Sequence, residues 1–157
     1  MYVFYLSTFI TEFTLFILSI SLGILFLIMI NYPVTLTFLW MLPIMFLQML
    51  FVFSLGIIVS LFVPFFKDLK EAIPIIIQLW FWMTPIIYIK EMLANKYPFL
   101  LTINPVYHFI HLYQDIFLFA QAPTFNDMMI ILFIASITLL IALYLYQKMI
   151  DTIKDII

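Results

Sequence analysis

A chain of 157 residues that is 68% hydrophobic, 20% aromatic and only 9% charged lies far from soluble domains, where about a quarter of residues carry charge. Its net charge of −2 offers no basic surface to nucleic acid, and the lack of cysteine excludes disulfides, cysteine-bound zinc and thiol nucleophiles. This length holds about four membrane crossings and leaves no room for a soluble catalytic domain beside them.

The pattern is all-α: a polytopic transmembrane helix bundle of four spans, with an external re-entrant helical hairpin between the last two, in a single transmembrane domain over 1–157. From 13 to 66 there is no Asp, Glu, Lys or Arg. About 20 apolar residues of helix cross a bilayer, so this run makes two crossings. The start lacks the basic leader of a cleaved signal peptide, and its apolar stretch is too long for one. The first span is predicted at 7–30; Glu12 could be a proton-coupling acid, but its place near the cytoplasmic edge fits a solvated acid better. Asn31, Tyr32 and Pro33 form a turn, because Asn tolerates turn geometry and Pro33 cannot continue a helix. The second span, 35–63, exceeds the bilayer thickness and should tilt or bend. Pro43 is the expected kink and Gly56 the expected point of close packing.

A charged coupling loop, 64–71, precedes the third span, 72–89. Pro74 suits that span's first turn, and Pro85 should break the helix near its outer end. The segment 90–123 is apolar but interrupted by Pro98, Asn104, Pro105 and Pro123. A fifth crossing fits by length, but two short helices broken at Asn104-Pro105 fit better, since irregular backbone at membrane depth is tolerated where protein or water covers it. The last span, 124–147, opens on Thr124 and Asp127 at capping-box spacing, with Asp in place of Glu. The tail, 148–157, alternates Lys and Asp with Ile and suits the membrane surface. Lysines decide the orientation. Lys67, Lys70, Lys148 and Lys154 share one side, against Lys90 and Lys96 on the other, which places both termini in the cytoplasm.

Two clusters carry candidate chemistry. Phe66, Lys67, Asp68, Leu69 and Glu71 read either as a solvated topology-setting loop or as a docking surface for a soluble partner. The aromatic group around Trp80, Trp82 and Tyr88 reads as an interfacial belt or as a sugar-stacking surface. His108 and His111 could share a helix face with Asp115, but that set is too small for a persuasive metal site, and polar packing is the better reading. With only Gly23 and Gly56, the chain has no GxxxxGK[ST] loop. Any ATP must be bound by a partner.

Taken in order, Phe66-Lys67-Asp68 before a span, Gln78, Thr84-Pro85-Ile86-Ile87-Tyr88, Asn104-Pro105 and Tyr113 before the last span give a sequence that resembles the type-2 permeases of ATP-binding-cassette exporters. The likeness is greatest to the branch that exports lipid-linked polysaccharide or teichoic acid. Lys67 stands where Arg is usual, and Gln114 where Arg often follows the tyrosine. The resemblance covers the family's last four spans of six, so a truncated form is expected. It implies a permease with no catalytic residues and no metal, binding no cofactor itself, with ATP and Mg on a separate nucleotide-binding ATPase subunit. It also implies a second permease copy in a homodimer, the lipid bilayer and a lipid-linked glycan substrate as partners, and residence in the bacterial inner membrane. Phe66, Lys67, Asp68, Leu69 and Glu71 would then contact the ATPase. Trp80, Trp82, Tyr88, Asn104, Tyr107 and Tyr113 would line the conduit or its outer mouth. A drug or peptide exporter of the same superfamily is one alternative. A membrane enzyme acting on lipid-linked glycans through His108, His111 and Asp115 is another, and a packing scaffold a third.

Overall fold

The computed structural model describes residues 2–66, 68–84 and 98–156. Every regular element among them is helical: α1 (Tyr2–Met29), a 3-10 turn (Leu36–Trp40), α2 (Met41–Phe62), α3 (Leu69–Met83), α4 (Pro98–Ile103), α5 (Pro105–Phe119) and α6 (Phe125–Ile156). Three stretches are long and apolar enough to cross a bilayer, Ile10–Met29, Leu36–Phe62 and Phe125–Ile150. The chain is therefore a multi-pass helical membrane protein. α3 has 15 residues, about 22 Å at 1.5 Å per residue, and the outer end of the third predicted span, Pro85–Ile89, lies outside the described residues.

Local chemistry sets the helix ends. Asn31 adopts φ 56°, a left-handed conformation that Asn tolerates. The N–H groups of Asn31 and Tyr32 close back on the carbonyls of Ile28 and Leu27, which ends α1 as a Schellman turn. At α6, the Thr124 N–H and hydroxyl both donate to Asp127 Oδ2, at 3.2 and 2.6 Å, and the Asp127 N–H returns to the Thr124 hydroxyl at 3.3 Å. This is the reciprocal cap that the spacing predicts, and the helix it starts continues to Ile156.

Pro43 sits in the first turn of α2, just after the 3-10 turn. A proline ring presses on the carbonyl four residues back, here that of Leu39, and the backbone answers with the change of helix type. Pro74, expected in a first turn, lies inside α3 instead. The Phe66 and Asp68 carbonyls accept from Leu69, Glu71 and Ala72, and so begin the helix a turn ahead of the proline. Gly56, expected at a close contact, is exposed and a Cβ there would meet nothing within 4 Å. It faces away from the buried Ser54 side of α2. Gly23 is the glycine that faces a neighbour, and a Cβ there would stand at ordinary contact distance, 3.6 Å from the Phe117 ring.

α2 lies along α6, and α5 packs on both. Their shared core holds Phe38, Met41, Ile44, Phe51, Phe109, Leu112, Ile116, Ile131 and Ala135. Phe51 stacks on Phe109 at 5.5 Å, and Phe38 meets Phe117 edge-on at 5.7 Å. The order reverses between the two chains of contacts, so α5 runs antiparallel to α2. Along α1 the order is kept: Phe16 meets Tyr113, Gly23 meets Phe117, and the Tyr32 hydroxyl donates to the Leu118 carbonyl at 2.7 Å. α1 and α5 are parallel. The start of α5 therefore lies beyond the level of Phe51, about midway along α2, and its end lies beside the α1–α2 turn.

Candidate functional site

Two residues that precede prolines build the most connected polar site among the described residues. A proline pushes the residue before it out of helical geometry. Thr84, before Pro85, is extended (φ −101°, ψ 128°) and ends α3; Asn104, before Pro105, is extended (φ −75°, ψ 105°) and precedes α5. Pro105 then occupies the first position of α5, where its missing N–H costs nothing. Asn104 caps that helix, its Oδ1 accepting from the Val106 N–H at 3.1 Å and the Tyr107 N–H at 3.4 Å.

The same side chain reaches α3. Trp80 Nε1 donates to Asn104 Oδ1 at 2.8 Å, Asn104 Nδ2 donates to Thr84 Oγ1 at 2.8 Å, and the Thr84 hydroxyl donates to the Trp80 carbonyl at 2.9 Å. The three residues close a ring of hydrogen bonds between the end of α3 and the elbow of α4 and α5. Thr84 is 1% and Asn104 7% exposed. In so apolar a setting each bond resists exchange, because an unmade buried hydrogen bond costs about 1–3 kcal/mol.

Beside this ring lies an open groove of about 370 Å³, lined by Phe51, Leu55, Trp80, Pro105, Ile134 and Thr138 among others. His108 also lines it, and its Nε2 lies 3.0 Å from the Thr102 carbonyl. A carbonyl only accepts, so that nitrogen carries the proton. His111 Nδ1 pairs instead with Asp115 at 2.7 Å. The two imidazoles thus engage different partners, and among the described residues no three His, Asp or Glu side chains gather as a metal site would need.

The remaining predicted site residues fall in two places. At the charged cluster, Phe66, Asp68 and Glu71 are exposed and Leu69 is half-buried, while Lys67 lies outside the described residues. Asp68 precedes α3 without capping it through its side chain, and Glu71 lies in the first turn. Both carboxylates suit the positive end of the helix dipole. Of the aromatic set, Trp82 is exposed and meets Phe81 edge-on at 5.7 Å. Tyr107 is buried, with both histidine rings edge-on to it at 5.6 Å. Tyr113 meets Phe16, and its hydroxyl oxygen is buried without a hydrogen-bond partner. Tyr88 lies outside the described residues. The structure thus joins Trp80 to Asn104. Thr84 enters the sequence analysis only within the Thr84-Pro85-Ile86-Ile87-Tyr88 segment and not as a site residue, and its place before Pro85 at a helix end is the signal for its position.

The fold defines a multi-pass helical membrane protein with a charged knuckle at one end of α3 and a polar joint at the other. Its sequence places it further: the profile of the ABC-2 type transporter family matches residues 1–118, and the chain belongs to that family. An O-antigen export system permease protein, RfbA, from Klebsiella pneumoniae is 28% identical over 135 residues, which cover 85% of this chain and 52% of that protein. A second RfbA from the same organism is 33% identical over 104 residues, 66% of this chain and 40% of the relative. The chain spans about half the length of the curated relatives it matches. No solved structure matches it significantly.

Proposed function

We propose that the chain serves as a membrane-spanning permease subunit in an ATP-driven exporter of lipid-linked polysaccharide. The observation that carries this reading is its similarity, over 85% of its length, to a permease of O-antigen export. With two glycines and no phosphate-binding loop, the chain relies on a separate ATPase subunit for ATP and Mg. Phe66, Lys67, Asp68, Leu69 and Glu71 form the contact with that subunit. The place of Phe66, Asp68, Leu69 and Glu71 at the start of α3 supports this, because α3 leads from them to the joint at Thr84. A second permease copy completes the conduit, and the exposed Trp82 offers the growing polymer an aromatic face.

In this reading the bacterial inner membrane holds four spans, both termini are cytoplasmic, and α4 and α5 form an external hairpin that dips inward and returns. The antiparallel pairing of α5 with α2 supports the dip, since Asn104 precedes Phe109 by five residues and so reaches about 7.5 Å past the Phe51 level. Replacing Phe66 and Asp68 together by Ala tests the coupling contact. The ATPase subunit then fails to copurify while the permease still inserts in the membrane; undiminished copurification contradicts the assignment.

A further inference from the structure

We propose that Asn104 is a positioning residue for transport, pinning the elbow of α4 and α5 to the end of α3 so that displacement of α3 moves the elbow. The inference rests on the exporter reading above and assigns Asn104 a different task from contact with the polymer. Its amide is spent inside the protein: Oδ1 on Trp80 and the first turn of α5, Nδ2 on Thr84. At 7% exposure little of it is left for a ligand.

The placement of the ring gives it mechanical meaning. α3 is one continuous helix from Leu69, beside the charged cluster, to Met83, and Thr84 ends it. No residue of α3 is buried, so no interlocked seam holds the helix along its length against the core. Its far end is different. Trp80 packs on the core cluster, and Thr84 and Trp80 both bond the elbow. A push at Asp68 is therefore delivered at Asn104. Water does not compete for these bonds at membrane depth, so the ring moves as a unit. An open groove of about 370 Å³ lies beside Trp80 and Pro105, so that side of the elbow is not enclosed by packed side chains.

Thr84 makes the test clean. Thr84→Val keeps the shape and removes the hydroxyl, and Thr84→Ser keeps the hydroxyl. These variants, with Asn104→Leu, are expressed with the ATPase subunit in cells that make the polymer. Membrane abundance, ATPase copurification, ATP hydrolysis by the purified complex and surface polymer are measured together. Asn104→Leu and Thr84→Val should keep assembly and hydrolysis and lose polymer exported per ATP by about tenfold, the factor equivalent to about 1.4 kcal/mol. Thr84→Ser should export as the wild type does. Normal export per ATP in Thr84→Val overturns the proposal even if Asn104→Leu fails to accumulate. A parallel loss of abundance, assembly and export in Thr84→Val also overturns it, because the ring is then structural only. A wild-type chain that neither retains an ATPase nor supports export overturns the exporter reading itself.

Discussion

α3 and α5 have 15 residues each and both are mostly apolar, yet α5 buries Tyr107, Phe109, Leu112 and Ile116 while α3 buries none. The difference lies in what each helix packs against. Phe109, Leu112 and Ile116 recur at helical spacing and make one stripe, which a seam of α2 and α6 can cover. In α3, Ile75, Ile76, Ile77, Leu79, Phe81 and Trp82 are all exposed, while Lys70, Glu71 and Gln78 fall on one face. Such a helix suits lipid or neighbouring spans more than a single seam. One helix is thus locked along its length, and the other is held at an end, by Trp80 and Thr84.

Matched substitutions expose that contrast. Ile116 is fully buried, and Ile116→Ala should destabilise the bundle by about 3 kcal/mol, through lost contacts and the cavity left behind. Tyr113→Phe, which removes a buried hydroxyl with no hydrogen-bond partner, should stabilise α5 by about 1 kcal/mol. Ile76 is 53% exposed, and Ile76→Ala should stay within about 0.5 kcal/mol. Unfolding titrations in detergent micelles measure all three. Equal losses at Ile116 and Ile76 would erase the distinction between the two helices.

Much of the architecture is legible in the sequence because lipid imposes simple demands. Uninterrupted hydropathy marks the long helices. The Thr124 and Asp127 spacing marks the start of the last one, and Asn104-Pro105 marks the elbow through the preference of Asn for caps and of Pro for first turns. Pairings across the fold are less visible. Nothing local to Trp80 says that its indole bonds Asn104, since that contact depends on how α3 and α5 are brought together. Gly56 misleads for the same reason: composition suggests a close contact, but only packing decides which face of α2 is covered. Pro74 misleads through backbone bonds that start α3 earlier than the proline implies. The orientation of the aromatic residues is not legible in the sequence: Tyr107 and Tyr113 turn toward packing where Trp82 turns outward.

The central claim is that the α3 knuckle and the end of α6 share the cytoplasmic face. The native chain has no cysteine, so Lys70→Cys and Lys148→Cys each place a single exposed thiol on an unlabelled background. With a membrane-impermeant maleimide, both should be silent in spheroplasts and both reactive in inverted membrane vesicles. Opposite labelling of the two positions would contradict the four-span arrangement, and with it the path from knuckle to joint.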